Sequence, residues 1–171
     1  IIGILSTVVV LQFTGTNRNF SLQNAQSFLR SDLRRVMTYA STGKTCCTDQ
    51  AVPEGYGLLI TPGNTTYELY ADVDGDHMYT SGGVDQILEI IDAQTGESVV
   101  GKALTSDIEV ESCSPAGTSG LTCDFLTAVP GGVLYANGQS SETFQIILRQ
   151  TKSSVDATKK ITVDLQSGQV E

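Results

Sequence analysis

The chain has 171 residues, 40 % hydrophobic and 17 % charged, so it can bury a core and is not globally disordered. Nineteen acidic residues against ten basic ones give a net charge of −9, which disfavours a general nucleic-acid binder. One histidine and no tryptophan leave little material for histidine-based catalysis or a histidine-rich metal site.

The first thirteen residues, IIGILSTVVVLQF, carry no charge. They are shorter than the ~20 residues that span a bilayer. No basic region precedes them and no A-x-A-like site follows, so a secretory signal is not the expected reading. TGTNRN at 14–19 is a poor helix former and is expected to loosen the middle of the segment. Beyond it, Ala25, Leu29, Leu33, Val36 and Ala40 recur at one face of an α-helix, with Arg30, Asp32, Arg34 and Arg35 off that stripe. Gly43 is the expected C-cap. A helix from Ile1 to about Thr42 would run roughly 60 Å, too long for a domain of this size to enclose, so one apolar end should project.

After Gly43 the character turns to β. The predicted strands are 56–61, 66–72, 86–91, 106–112, 143–149 and 160–166, with further strands in LTCDFLT and GVLYA. No helical pattern separates them, so the sheet is expected to be antiparallel. The expected fold is α+β: a spine helix over 1–43 and a β-rich head over 44–171.

The run IIGILSTVVV resembles the leader helix of type IV pilins and pseudopilins. FLRSDLRRVMTYAS, a D-x-D-G-D turn, PGG at 130–132 and the ending ITVDLQSGQVE resemble the GspH/FimT-like pseudopilin subgroup. The family's cleavage-site glycine, methylated first residue and early glutamate are expected upstream of Ile1, and Leu11 stands near the family's helix-bending proline. The resemblance implies a structural subunit of a pilus-like or pseudopilus filament, without enzymatic activity. It would be held in the inner membrane before assembly and displayed at the cell surface afterwards. Its partners would be copies of itself and other pilin-like subunits. Ile1, Ile2, Ile4, Leu5, Val8, Val9, Leu11 and Phe13 would then form the filament core. The alternative is a minor or tip subunit that primes assembly or displays a DNA- or surface-binding head.

Several constellations could carry chemistry. Asp72, Asp74 and Asp76, with Asp85 further on, could supply oxygens to Ca²⁺, the one cofactor the sequence suggests. The spacing is not that of an EF-hand, and a plain turn with aspartates capping N–H groups is the competing reading. His77 with Ser81 and Asp85 lacks a nucleophile elbow, and hydrolysis is not expected. Of the four cysteines, Cys113 and Cys123 are the expected disulfide, while Cys46 and Cys47 could cross-pair with them or stay reduced. Arg149, Lys152, Lys159 and Lys160 form a basic cluster read either as a solvated hairpin end or as a DNA contact. Asn19 and Asn64 match the N-glycosylation pattern, which chance often produces.

Overall fold

One continuous helix, α1 (Ile2–Thr42), opens the chain. The computed structural model describes residues 2–46, 51–91, 98–105, 107–115, 122–140, 143–151 and 157–171, with backbone alone over 2–19 and 90–91. The expected loosening at 14–19 does not occur, since the helix passes unbroken through TGTNRN. The threonines and asparagines there cost up to about 0.7 kcal/mol each and Gly15 about 1 kcal/mol, and hydrogen-bonded turns on both sides carry the helix across. It ends as predicted. Gly43 adopts φ 57°, its N–H donates to Ala40 C=O, and Lys44 N–H reaches back to Tyr39 C=O. This double return satisfies carbonyls that the last turn would otherwise leave open.

Eleven strands follow among the described residues: β1 (Gly55–Ile60), β2 (Thr66–Asp72), β3 (Gln86–Ile87), β4 (Glu89–Ile91), β5 (Ser98–Val100), β6 (Lys102–Ala103), β7 (Ile108–Ser114), β8 (Cys123–Ala128), β9 (Leu134–Ala136), β10 (Thr143–Gln150) and β11 (Thr158–Asp164). They form a large sheet ordered β3-β2-β1-β8-β9 with β6 also on β2, a small sheet β11-β10-β7, and the pair β4-β5. All these pairings are antiparallel. The fold is therefore α+β, with one N-terminal helix and an antiparallel β domain.

The run 86–91, read from sequence as one strand, divides at Leu88. Its N–H still bonds Leu69 C=O at 2.7 Å, continuing β3 along β2. The next residues leave for β5. A short apolar run carries no mark of such a change of partner.

The helix stripe and the sheets share one core. Ala25, Leu29, Leu33, Val36 and Ala40 are all buried, joined by Leu22. They pack on β1 and β8 of the large sheet and on β10 and β11 of the small one. Each fully buried leucine contributes about 1.5–3 kcal/mol. The second half of α1 is thus as much part of the head as its strands are. Phe125 stacks on Phe144 with ring centroids 5.6 Å apart, joining the two sheets beneath the helix.

The sheets are also joined covalently. Cys113, in β7, is bonded to Cys123, at the start of β8. This is the expected pairing. Closing a loop of about eleven residues restricts the unfolded chain by ~2–3 kcal/mol. Cys46 is also disulfide-bonded, so it neither stays reduced nor reaches across to that pair. Cys47 lies outside the described residues.

Candidate functional site

Strand alternation gives the large sheet two different faces. Tyr56, Leu58 and Ile60 of β1, Tyr67 and Leu69 of β2, and Phe125 of β8 belong to the core under α1. The opposite face carries Gly57, Tyr70, Asp72 and Asp124, and it is not left to solvent: Tyr70, Asp72 and Asp124 are at most 5 % exposed. The aspartate-rich segment after β2 covers it, and its residues supply the hydrogen bonds.

Asp72 accepts from Gly75 N–H at 2.7 Å and from His77 N–H at 3.1 Å, one on each oxygen. Asp85 likewise accepts from Val73 N–H (3.0 Å) and Thr80 N–H (2.8 Å). Asp76 caps Met78 N–H at 2.9 Å. Asp124, reaching up from β8, accepts Tyr79 N–H at 2.6 Å and the Tyr70 hydroxyl. Gly75 and His77 take positive φ, 75° and 66°, which lets the chain reverse tightly enough to present these N–H groups. His77 then stacks on Tyr135 of β9 at 4.1 Å between centroids, and Tyr79 meets Tyr70 edge-to-face.

Asp72, Asp74 and Asp85 each place an oxygen within 4.8 Å of the others, so these three are the carboxylates that could share a cation. Asp76 stands outside that group. The N–H bonds accepted by Asp72 and Asp85 account for the position of both carboxylates as turn caps. His77 Nδ1 lies 3.7 Å from Asp72, and Asp85 is engaged with backbone, so the described contacts do not join His77, Ser81 and Asp85 into a triad.

Burial dominates the electrostatics. It pushes the Asp124 carboxyl up to about 7, against the lowering effect of the Tyr70 and Tyr79 hydrogen bonds. Asp72 is also raised, again chiefly by burial. A carboxyl raised in the folded state binds more protons there than in the unfolded chain between its two pKa values. Stability from Asp124 is therefore complete below about pH 4 and lost as pH rises through about 7. The urea midpoint is expected to fall between about pH 4 and pH 7 and to level off above, Asp72 adding in the same direction. Asp124→Asn should flatten most of that slope. An unchanged slope in the variant would assign the dependence to other groups.

Asp124 and its tyrosines are not visible in the sequence as a site. In LTCDFLT the alternation places Asp124 opposite Cys123 and Phe125, and nothing in that spacing says the opposite face is covered. The same holds for Asp32. It lies one residue off the apolar stripe yet is fully buried, taking the Tyr67 hydroxyl at 2.6 Å, Lys102 Nζ at 2.8 Å and Arg35 at 3.2 Å.

The other predicted residues separate. Arg149 of the basic cluster is paired with Glu109 and Glu111 across β7 and β10. Lys159 and Lys160 lie in β11, and Lys152 is outside the described residues. Arg34 donates to Val170 C=O. Asn64 sits exposed in the β1–β2 turn. Of the apolar N-terminal set, Ile2, Ile4, Leu5, Val8, Val9, Leu11 and Phe13 are on the α1 backbone, and Ile1 is outside the described residues. No helix among the described residues is long and apolar enough to cross a membrane. No protein-family model, curated protein or solved structure matches this chain.

Proposed function

We propose that this chain is a structural subunit of a type IV pilus-like or pseudopilus filament, assembled through the N-terminal part of α1. The observation that carries this reading is the division of labour along one unbroken helix. From Leu22 to Ala40 it supplies the head's core. Its first thirteen residues are uncharged and predominantly apolar. Phe20 and Phe28, 62 % and 46 % exposed, add large apolar side chains outside the core between and beside these regions. An isolated chain in water gains nothing from such surface, whereas helices packed side by side bury it. Repeating one head-to-tail contact without closure produces a filament. Before assembly the same apolar end would rest in the membrane.

Val9→Asp tests this. A carboxylate in a packed apolar bundle must be desolvated without a partner. Electron microscopy of surface material, with the chain traced by helical reconstruction, is expected to find filaments of this subunit in the wild type and none in the variant. The purified variant should melt with the wild-type head. Filaments of normal number and composition in the variant would sink the reading. A chain found only at filament ends would make it a tip subunit.

A further inference from the structure

The surface that α1 turns away from the core differs in charge from the rest of the chain. Four of the ten basic residues but only one of the nineteen acidic ones stand before Gly43, and that one, Asp32, is buried. Phe20, Ser27, Ser31, Arg34 and Thr38 recur at helical spacing opposite the core stripe, and all five are exposed. Exposed Phe28 and partly exposed Arg35 flank them. Among the described residues Arg34 bonds only a neutral group, the Val170 carbonyl, so its charge is uncompensated. The face is apolar and cationic, and its serines let a second surface come close.

The opposite side of the head carries the complement. The segment 73–85, laid over the far face of the large sheet, exposes Val73, Met78 and Val84, with Asp74 and Asp76 exposed among them. It contains no lysine or arginine. Glu54 joins this surface, since a Cβ on Gly75 would meet the Glu54 Cγ at 3.3 Å. No described cation pairs with Glu54, Asp74 or Asp76.

We propose that a second copy of this chain covers the outward face of α1, laying its 73–85 segment and Glu54 against Arg34 and the two phenylalanines. This rests on the filament reading above and names a contact between heads within it. Apolar side chains of both surfaces lose water together, while the carboxylates meet an uncompensated guanidinium. Because α1 and the segment lie on opposite faces of the large sheet, no chain can make this contact with itself. Two copies docked once still leave one surface of each kind free. The contact is heterologous and repeats from copy to copy.

Electron microscopy of surface material is run on cells producing the full chain. Arg34→Glu is expected to lower filament number about tenfold, and adding Asp74→Lys to the same chain to restore it, because the two charges are again opposite. Wild-type numbers in Arg34→Glu would overturn the contact, and so would no restoration by the second change. A second readout does not depend on filaments. Arg34→Lys keeps the charge and supplies an amine that a carbodiimide couples to a carboxylate. Mass spectrometry is expected to find position 34 joined to Asp74, Asp76 or Glu54 in a species of twice the chain mass. Absence of that link would overturn the contact. The link in cells that make no filaments would uphold the contact and remove the filament reading, whereas filaments without the link would do the reverse.

Discussion

Gly57→Ala is expected to destabilise the chain by about 3 kcal/mol, toward the upper end of what overpacking costs. Alanine in a strand normally gains 0.5–1 kcal/mol over glycine by restricting the unfolded chain, so the predicted sign is opposite to the intrinsic one (roughly, from general propensities). The reason is the ring of Tyr70. Gly57 pairs directly with Tyr70 across β1 and β2. The Tyr70 side chain packs directly against the glycine, and an added Cβ would fall inside the van der Waals envelope of its Cε1, Cζ and Oη atoms. It cannot swing away cheaply, because its hydroxyl donates to Asp124 and its edge meets Tyr79. Displacing it strips a donor from a buried carboxyl and loosens the covering loop. Thermal melting should fall by about 6–12 °C at the roughly 2–4 °C per kcal/mol expected for a domain of this size. Gly55→Ala is the control. Its Cβ would approach Leu126 Cδ2 at 2.9 Å, the flexible tip of an aliphatic side chain, so its cost should be smaller. Equal or raised stability in Gly57→Ala would show that the ring relocates freely.

Asp32→Ala is expected to lose about 2–4 kcal/mol, the cost of breaking a buried charged network rather than of removing a contact. One carboxylate joins three elements. Tyr67 of β2 and Lys102 of β6 are register partners and converge on the same oxygen, and Arg35 approaches from one turn along the helix. Burial and the adjacent carboxylate raise the Tyr67 hydroxyl well above its usual range, so it stays a neutral donor. Without Asp32 this hydroxyl, on a residue 2 % exposed, has lost its acceptor. Lys102 and Arg35 keep more access to water, with 21 % and 33 % of their side chains exposed, which limits the penalty. Tyr67→Phe should cost less, since the carboxylate retains both cations. The double variant should be more stable than the two single effects added together, measured by urea denaturation as a double-mutant cycle. Strict additivity would mean that the pair is not coupled.

These two positions differ in how far the sequence exposes them. The core stripe at Ala25, Leu29, Leu33, Val36 and Ala40 was legible because helical periodicity depends only on local geometry. The glycine cap at Gly43 and the hairpin of β1 and β2 were legible for the same reason: turn chemistry and alternation act over a few residues. The two-residue β6 was not, because its place is set by the pairing of Tyr67 with Lys102 and by the reach of that lysine to Asp32. The aspartate segment was legible as a cluster. That its carboxylates cap the backbone of a loop laid over Tyr70 and Asp124 was not.

By itself the sequence determined an α+β chain with one long helix, an uncharged N-terminal end and an antiparallel β domain, and it favoured Cys113–Cys123 without settling the pairing. Each follows from periodicity, composition or short spacing. Only the tertiary structure decided that α1 runs unbroken through 14–19 and that 86–91 serves two sheets. It also decided that Asp32 and Asp124 are buried. Those outcomes depend on which face of a strand or helix another element covers. Covering joins residues as distant as Asp32 and Lys102, and it converts an ordinary polar side chain into one whose partner, or lack of one, has an energetic consequence.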